Sequence, residues 1–260
     1  MEKSFSFQRI GILIQLDFFQ KWKSYAWMGS LLIGCTLLLL LPPLFFNEYN
    51  HLSQLVQYGA IPILFFGSTC YTSIALSDYV DGTKGIFALM TPASTAEKII
   101  CSLVVNFAFL IAFLVFFWQM HYRIIDIANV KIPTGATFYT AVSEDVMIYI
   151  SYCYFLFHSV VFAGSIYFSK LSYVKTLSFS IAGAILLSVL NTAFAKFLAG
   201  YPLMLGAIPF AGWSVVRDNS LKVYRVSAGD LIFPLQYLLP ILLISGLYLV
   251  ANLRLKEKQI

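Results

Sequence analysis

Six apolar runs of about 20 residues punctuate the chain, at 26–46, 54–77, 99–120, 146–169, 176–198 and 232–252. A bilayer core about 30 Å thick takes about 20 apolar residues per helix, and it offers no partner to a free backbone N–H or C=O. Such a chain must fold as helices or as a closed barrel. Barrel strands are shorter and alternate apolar with polar positions, which these runs do not. The pattern therefore predicts an all-α membrane protein with about six transmembrane helices. Only 11% of the 260 residues are charged, too few to coat a soluble protein of this size.

Lys and Arg cluster at the ends of the runs, so the net charge of +5 reads as a topology signal and not as a nucleic-acid footprint. With the N-terminus inside, the inner segments hold eleven of the 17 basic residues. The outer ones hold six, Arg123, Lys131, Lys196, Arg217, Lys222 and Arg225. This bias predicts a multi-pass protein of the inner (cytoplasmic) membrane with both termini in the cytoplasm. Ahead of the first run, residues 4–22 place Ser4, Gln8, Gly11 and Gln15 on one side and Phe7, Ile10, Ile14 and Phe18 on another. That spacing predicts an amphipathic helix lying in the interface, ending at the head-group markers Lys21, Trp22 and Lys23.

Two connections differ from simple hairpins. Residues 78–98 set Asp78, Asp81, Lys84, Glu97 and Lys98 around the apolar stretch 85–90, which suits a short surface helix that binds a partner. Residues 199–230 lie outside, yet carry Tyr201, Pro202, Pro209, Phe210, Gly212 and Trp213. Short re-entrant helices dipping into the outer leaflet account for that composition, with Tyr201, Pro209, Phe210 and Trp213 as an outer gate. An interfacial loop anchored by Trp213 is the alternative.

Catalytic signatures are missing from the sequence. It contains no GxxxxGK[ST] or GxGxxG phosphate cradle, no HExxH and no GxSxG elbow. No catalytic residue, cofactor ligand or metal ligand is expected, and the chain is not expected to act as an enzyme. His158 falls within a span with no Asp or Glu in any span to pair with it. It reads as a neutral histidine hydrogen-bonded between helices, and the missing carboxylates argue against ion-coupled transport.

Residues 85–98 read GIFALMTPASTAEK. Pro92 stops any preceding helix, and Ser94 with Glu97 three residues later forms a capping box at the start of the third span. The stretch resembles the loop between the second and third spans of membrane subunits from ATP-binding cassette (ABC) exporters of the type-2 permease class. The order of amphipathic helix, six spans, long inner loop and apolar outer segment is similar to that class along nearly the whole chain.

The resemblance implies one permease domain over 1–260, working as a homo- or heterodimer in membrane lipid. ATP and Mg would be held by a separate ATPase subunit, with no cofactor in this chain and no nucleic-acid partner. Residues 78–98 would be the coupling segment. Asp78, Asp81, Lys84, Phe87 and Met90 would face the ATPase, with Glu97 at the edge. Thr91 stands where many relatives have leucine. A polytopic scaffold or assembly protein without transport activity is the rival expectation.

Overall fold

A computed structural model describes residues 5–80, 90–133, 136–168, 171–199, 204–207, 213–216, 223–226 and 237–258. Helices dominate: α1 (Phe7–Leu40), α2 (His51–Ser68), α3 (Thr95–Val130), α4 (Glu144–Tyr167), α5 (Ser172–Ala199) and α6 (Leu239–Glu257). All but α2 are long and apolar enough to cross a membrane, so the chain is a multi-pass membrane protein. The exception has a physical cause. Its first two turns carry Ser53, Gln54 and Gln57, which are buried against neighbouring elements and not turned to lipid.

The amphipathic interfacial helix and the first span, expected as two pieces, are one uninterrupted helix. Nothing between Lys21 and Ala26 can break it, since no Pro or Gly is present, and an i,i+4 ion pair between Asp17 and Lys21 at 2.8 Å braces the turn before. The expected apolar face is only partly used: Ile10 is buried, while Phe7 and Phe18 are exposed. At its far end α1 stops at Leu40, and Pro42 and Pro43 turn the chain into a 3₁₀ turn, Pro42–Phe45.

The second apolar run also ends early as regular helix. Beyond Ser68 the backbone continues as tight turns, including Thr72–Ile74 and Ser77–Tyr79. The hydroxyls of Ser68, Thr69, Ser73 and Ser77 donate to the carbonyls of Phe65, Phe66, Cys70 and Ile74, three residues back, at 2.8, 2.7, 2.7 and 2.8 Å. Such local bonds offer the carbonyls a second partner, and here they accompany the short backbone bonds of the turns, from Thr69 N to Phe66 O and from Ser73 N to Cys70 O. In contrast, α3 runs ten residues past the expected end at Met120.

Successive helices alternate in direction. The starts of α1 and α3 meet at Ser6 and Glu97, and at the same end of the bundle Lys258 Nζ donates to Ile166 O at 3.0 Å. Leu76, Ile99, Ile166 and Leu255 pack together there. Both ends of the described chain therefore lie at one end of the bundle. Towards the middle, Phe65 anchors an aromatic core, with ring centroids 5.0 Å from Phe117, 5.9 Å from Trp118 and 4.7 Å from Tyr154. Close packing of this kind matters because lipid removes most of the hydrophobic drive between helices.

At the opposite end, the described parts of the outer segment are strands where re-entrant helices were expected. They are β1 (Met204–Ala207), β2 (Trp213–Val216) and β3 (Val223–Val226), joined antiparallel in the order β1-β2-β3. Met204 pairs with Val216, and Trp213 with Val226. Val, which recurs in these strands, and Trp suit a pleated surface.

Candidate functional site

The junction between the starts of α1 and α3 is built on one carboxylate. Ser94 caps α3 from extended backbone, its hydroxyl accepting from Glu97 N at 3.2 Å. Glu97 Oε2 accepts in return from Ser94 N at 2.7 Å, completing the capping box read from the sequence. The other oxygen, Oε1, accepts from Ser6 N at 2.7 Å and from Arg9 Nε at 3.1 Å, and Arg9 Nη2 stands 2.9 Å away. The side chain of Glu97 is fully buried. The Ser94 N–H, then the Ser6 N–H and the Arg9 guanidinium, outweigh the cost of burial and hold its carboxyl at about 2.

This geometry changes the part expected of Glu97. Both oxygens are engaged inside the chain, so it supports the segment before α3 from beneath and offers no edge to a partner. Lys98, beside it, is buried with its Nζ 5.9 Å from the Tyr79 ring centre. Met90 is 76% exposed and so is open to a partner. Asp78 sits in the turn Ser77–Tyr79. Asp81, Lys84 and Phe87 lie outside the described residues, as do Tyr201, Pro209 and Phe210 of the expected outer gate. Trp213 opens β2, with Ala207 and Val226 as its cross-strand neighbours.

A second junction, at the far end of α3, was not anticipated. The connection before α4 is sewn down by side-chain amides that each bond both backbone groups of one residue. Asn129 Nδ2 donates to Tyr139 O at 3.0 Å while its Oδ1 accepts from Tyr139 N at 2.8 Å. Gln54 does the same to Thr140, both bonds at 3.0 Å. His121 Nε2 accepts from Val142 N at 3.4 Å and Tyr122 OH donates to Val142 O at 2.9 Å. The acceptor role leaves the His121 proton on Nδ1. The connection is thus held like a strand, with side chains in place of a neighbouring strand.

His158 is buried with its ring stacked 5.9 Å from Phe107, but its Nδ1 meets no partner among the described residues, so the hydrogen bond expected between helices is not made through that nitrogen within them. Among the described residues, no group of three or more His, Cys, Asp or Glu is arranged to hold a metal ion, and the four cysteines are free thiols. Compared with known proteins, the chain matches no family model, no curated protein and no solved structure.

Proposed function

We propose that the chain is the membrane-spanning permease subunit of an ATP-driven exporter of the ABC type-2 class, working as a dimer with a separate ATPase subunit that holds ATP and Mg. The observation that carries this reading is the Glu97 junction. It ties the segment before α3 to two long membrane helices at once, to α3 through the capping box and to α1 through Arg9 and Ser6. A push delivered by a partner close to Ser94 would reach both helices through this one carboxylate. The basic bias of the inner segments supports a cytoplasmic side for this end, where ATP is available.

The test is co-expression with a candidate ATPase. Replacing Asp81, Lys84, Phe87 and Met90 together by alanine should abolish co-purification, or leave an ATPase whose turnover no longer responds to the permease, at unchanged membrane insertion. A large aromatic seated in a partner pocket contributes about 2 kcal/mol or more, so Phe87→Ala alone should carry most of the loss. Normal assembly and coupling after the fourfold change would sink this reading.

A further inference from the structure

Between α1, the turns after α2 and α3 lies a cavity of about 10 Å³, room for roughly one water-sized group. Its polar lining comes from Asp17, Lys21, Tyr25, Tyr71, Ser102 and Asn106. The Lys21 Nζ is 2.8 Å from Asp17 Oδ1, and Tyr25 OH donates to Asp17 Oδ2. The Tyr25 ring packs edge-on to Tyr71 at 5.3 Å. Asp17 and Lys21 keep 24% and 27% of their side chains exposed, so they form the rim. Asn106 is 2% exposed and forms the floor.

The floor is chemically incomplete. Asn106 Nδ2 donates to Ser102 O at 2.7 Å, and Oδ1 meets no donor among the described residues. Turning the amide over would set its oxygen against the Ser102 carbonyl, so the orientation is fixed. A buried acceptor without a donor is costly, most of all beside lipid, and it marks a place where a donor from outside the chain belongs. The Asp17 carboxylate, in the same lining, is a second acceptor. What enters must therefore bring N–H or O–H groups.

The rim narrows the choice. A carboxylate and an ammonium side by side complement a ligand that carries an ammonium and an anion a few atoms apart. Asn106 stands about 16 Å along α3 from its start, and Asp17 about 15 Å along α1. The start of the two helices is the polar end of the bundle, so this level falls near the head groups of one leaflet. We propose that the cavity recognises the primary ammonium of a phosphoethanolamine-type lipid head group, the ammonium reaching Asn106 Oδ1 and the Asp17 carboxylate, and the phosphate resting by Lys21. This inference is independent of any ATPase partner.

The test uses the full chain purified in detergent, loaded with equal amounts of phosphatidylethanolamine, phosphatidylcholine and phosphatidylglycerol, and read by native mass spectrometry. Choline has the same charge as ethanolamine but no N–H, so it isolates the donor. Phosphatidylethanolamine should be retained about tenfold over phosphatidylcholine, the ratio that 1.4 kcal/mol produces. Asn106→Leu should abolish that preference, and Asn106→Asp, which keeps an acceptor, should retain it. Ala75→Leu, which fills the cavity from its apolar wall, should also abolish it, and this variant decides the matter if Asn106→Leu does not fold. Free phosphoethanolamine added to the loaded protein should fail to displace the lipid. Equal retention of the two zwitterionic lipids would overturn the proposal and leave the cavity to a water. So would a preference that survives filling the cavity, or displacement by the free head group.

Discussion

Gly164 on α4 and Thr176 on α5 approach so closely that a Cβ built on the glycine would stand 2.1 Å from the threonine Oγ1 and 2.8 Å from its Cγ2. The glycine carbonyl also accepts from Ser172 Oγ at 3.1 Å, and Thr176 Oγ1 donates to Ser172 O at 2.8 Å. A small residue here lets two helix backbones meet where lipid provides little other drive. Gly164→Ala should destabilise the protein by about 2 kcal/mol, the usual cost of overfilling a packed site. Thermal unfolding in detergent measures it. Adding Thr176→Ala, which removes both clashing atoms, should recover most of the loss, and no recovery would place the fault elsewhere.

The Glu97 junction makes a pH prediction. Its carboxyl is held at about 2 against an ordinary 4.5, so the folded state favours the ionised form. The resulting stability is fully present above about pH 4.5 and drains away as pH falls towards about 2. Glu97→Gln, unable to ionise, should be less stable at neutral pH and should show a flatter profile across that window. Unfolding temperatures from pH 3 to 7, taken for both proteins with flanking controls, would show parallel curves if the junction were unimportant.

The amide-held connection predicts a local effect without global unfolding. Asn129→Ala leaves both backbone groups of Tyr139 without their partner, at a cost of about 1–3 kcal/mol. A cysteine placed at the buried Val142 should then react with a water-soluble maleimide many times faster than in the parent background. Unchanged labelling would mean that Gln54 and Tyr122 hold the connection unaided.

Orientation is open to a direct check. A reporter fused after Ile260 should read out as cytoplasmic, and one inserted after His51, where α2 starts at the other end of the bundle, should read out as external. Reports from the same side would refute either the span count or the charge argument.

The long apolar runs were legible because hydropathy over 20 residues is a sum that no single residue can spoil, and α4 and α6 show it. The capping box was legible too, since Ser94 and Glu97 are local and their chemistry depends only on spacing. Arg9 and Ser6, which complete the junction, are some 90 positions away from Glu97 and carry no periodic signal. The same distance hid Gln54 and Thr140 from one another. The end of α2 was missed for a different reason. The run 54–77 is apolar as a whole, and the i−3 bonds of Ser68, Thr69, Ser73 and Ser77 do not by themselves mark its end, since Ser159 and Ser165 make the same bonds inside the regular helix α4. The outer segment misled because Pro and aromatic residues among apolar ones fit a buried helix and a sheet equally well until the strand pairing is known.

Those four hydroxyls carry a mechanical implication. Each closes its own turn, and Ser68 and Thr69 also reach Tyr154 and Tyr173, so the foot of α2 behaves as a string of latches of which the upper two are fastened to neighbouring helices. Removing one loosens one turn. Removing Ser68 and Thr69 together should depart from the sum of the two single changes, because they are adjacent and also meet Tyr154 and Tyr173 of the neighbouring helices. This end of the protein can still be tuned in steps by serine-to-alanine changes, like a spring whose stiffness is set coil by coil.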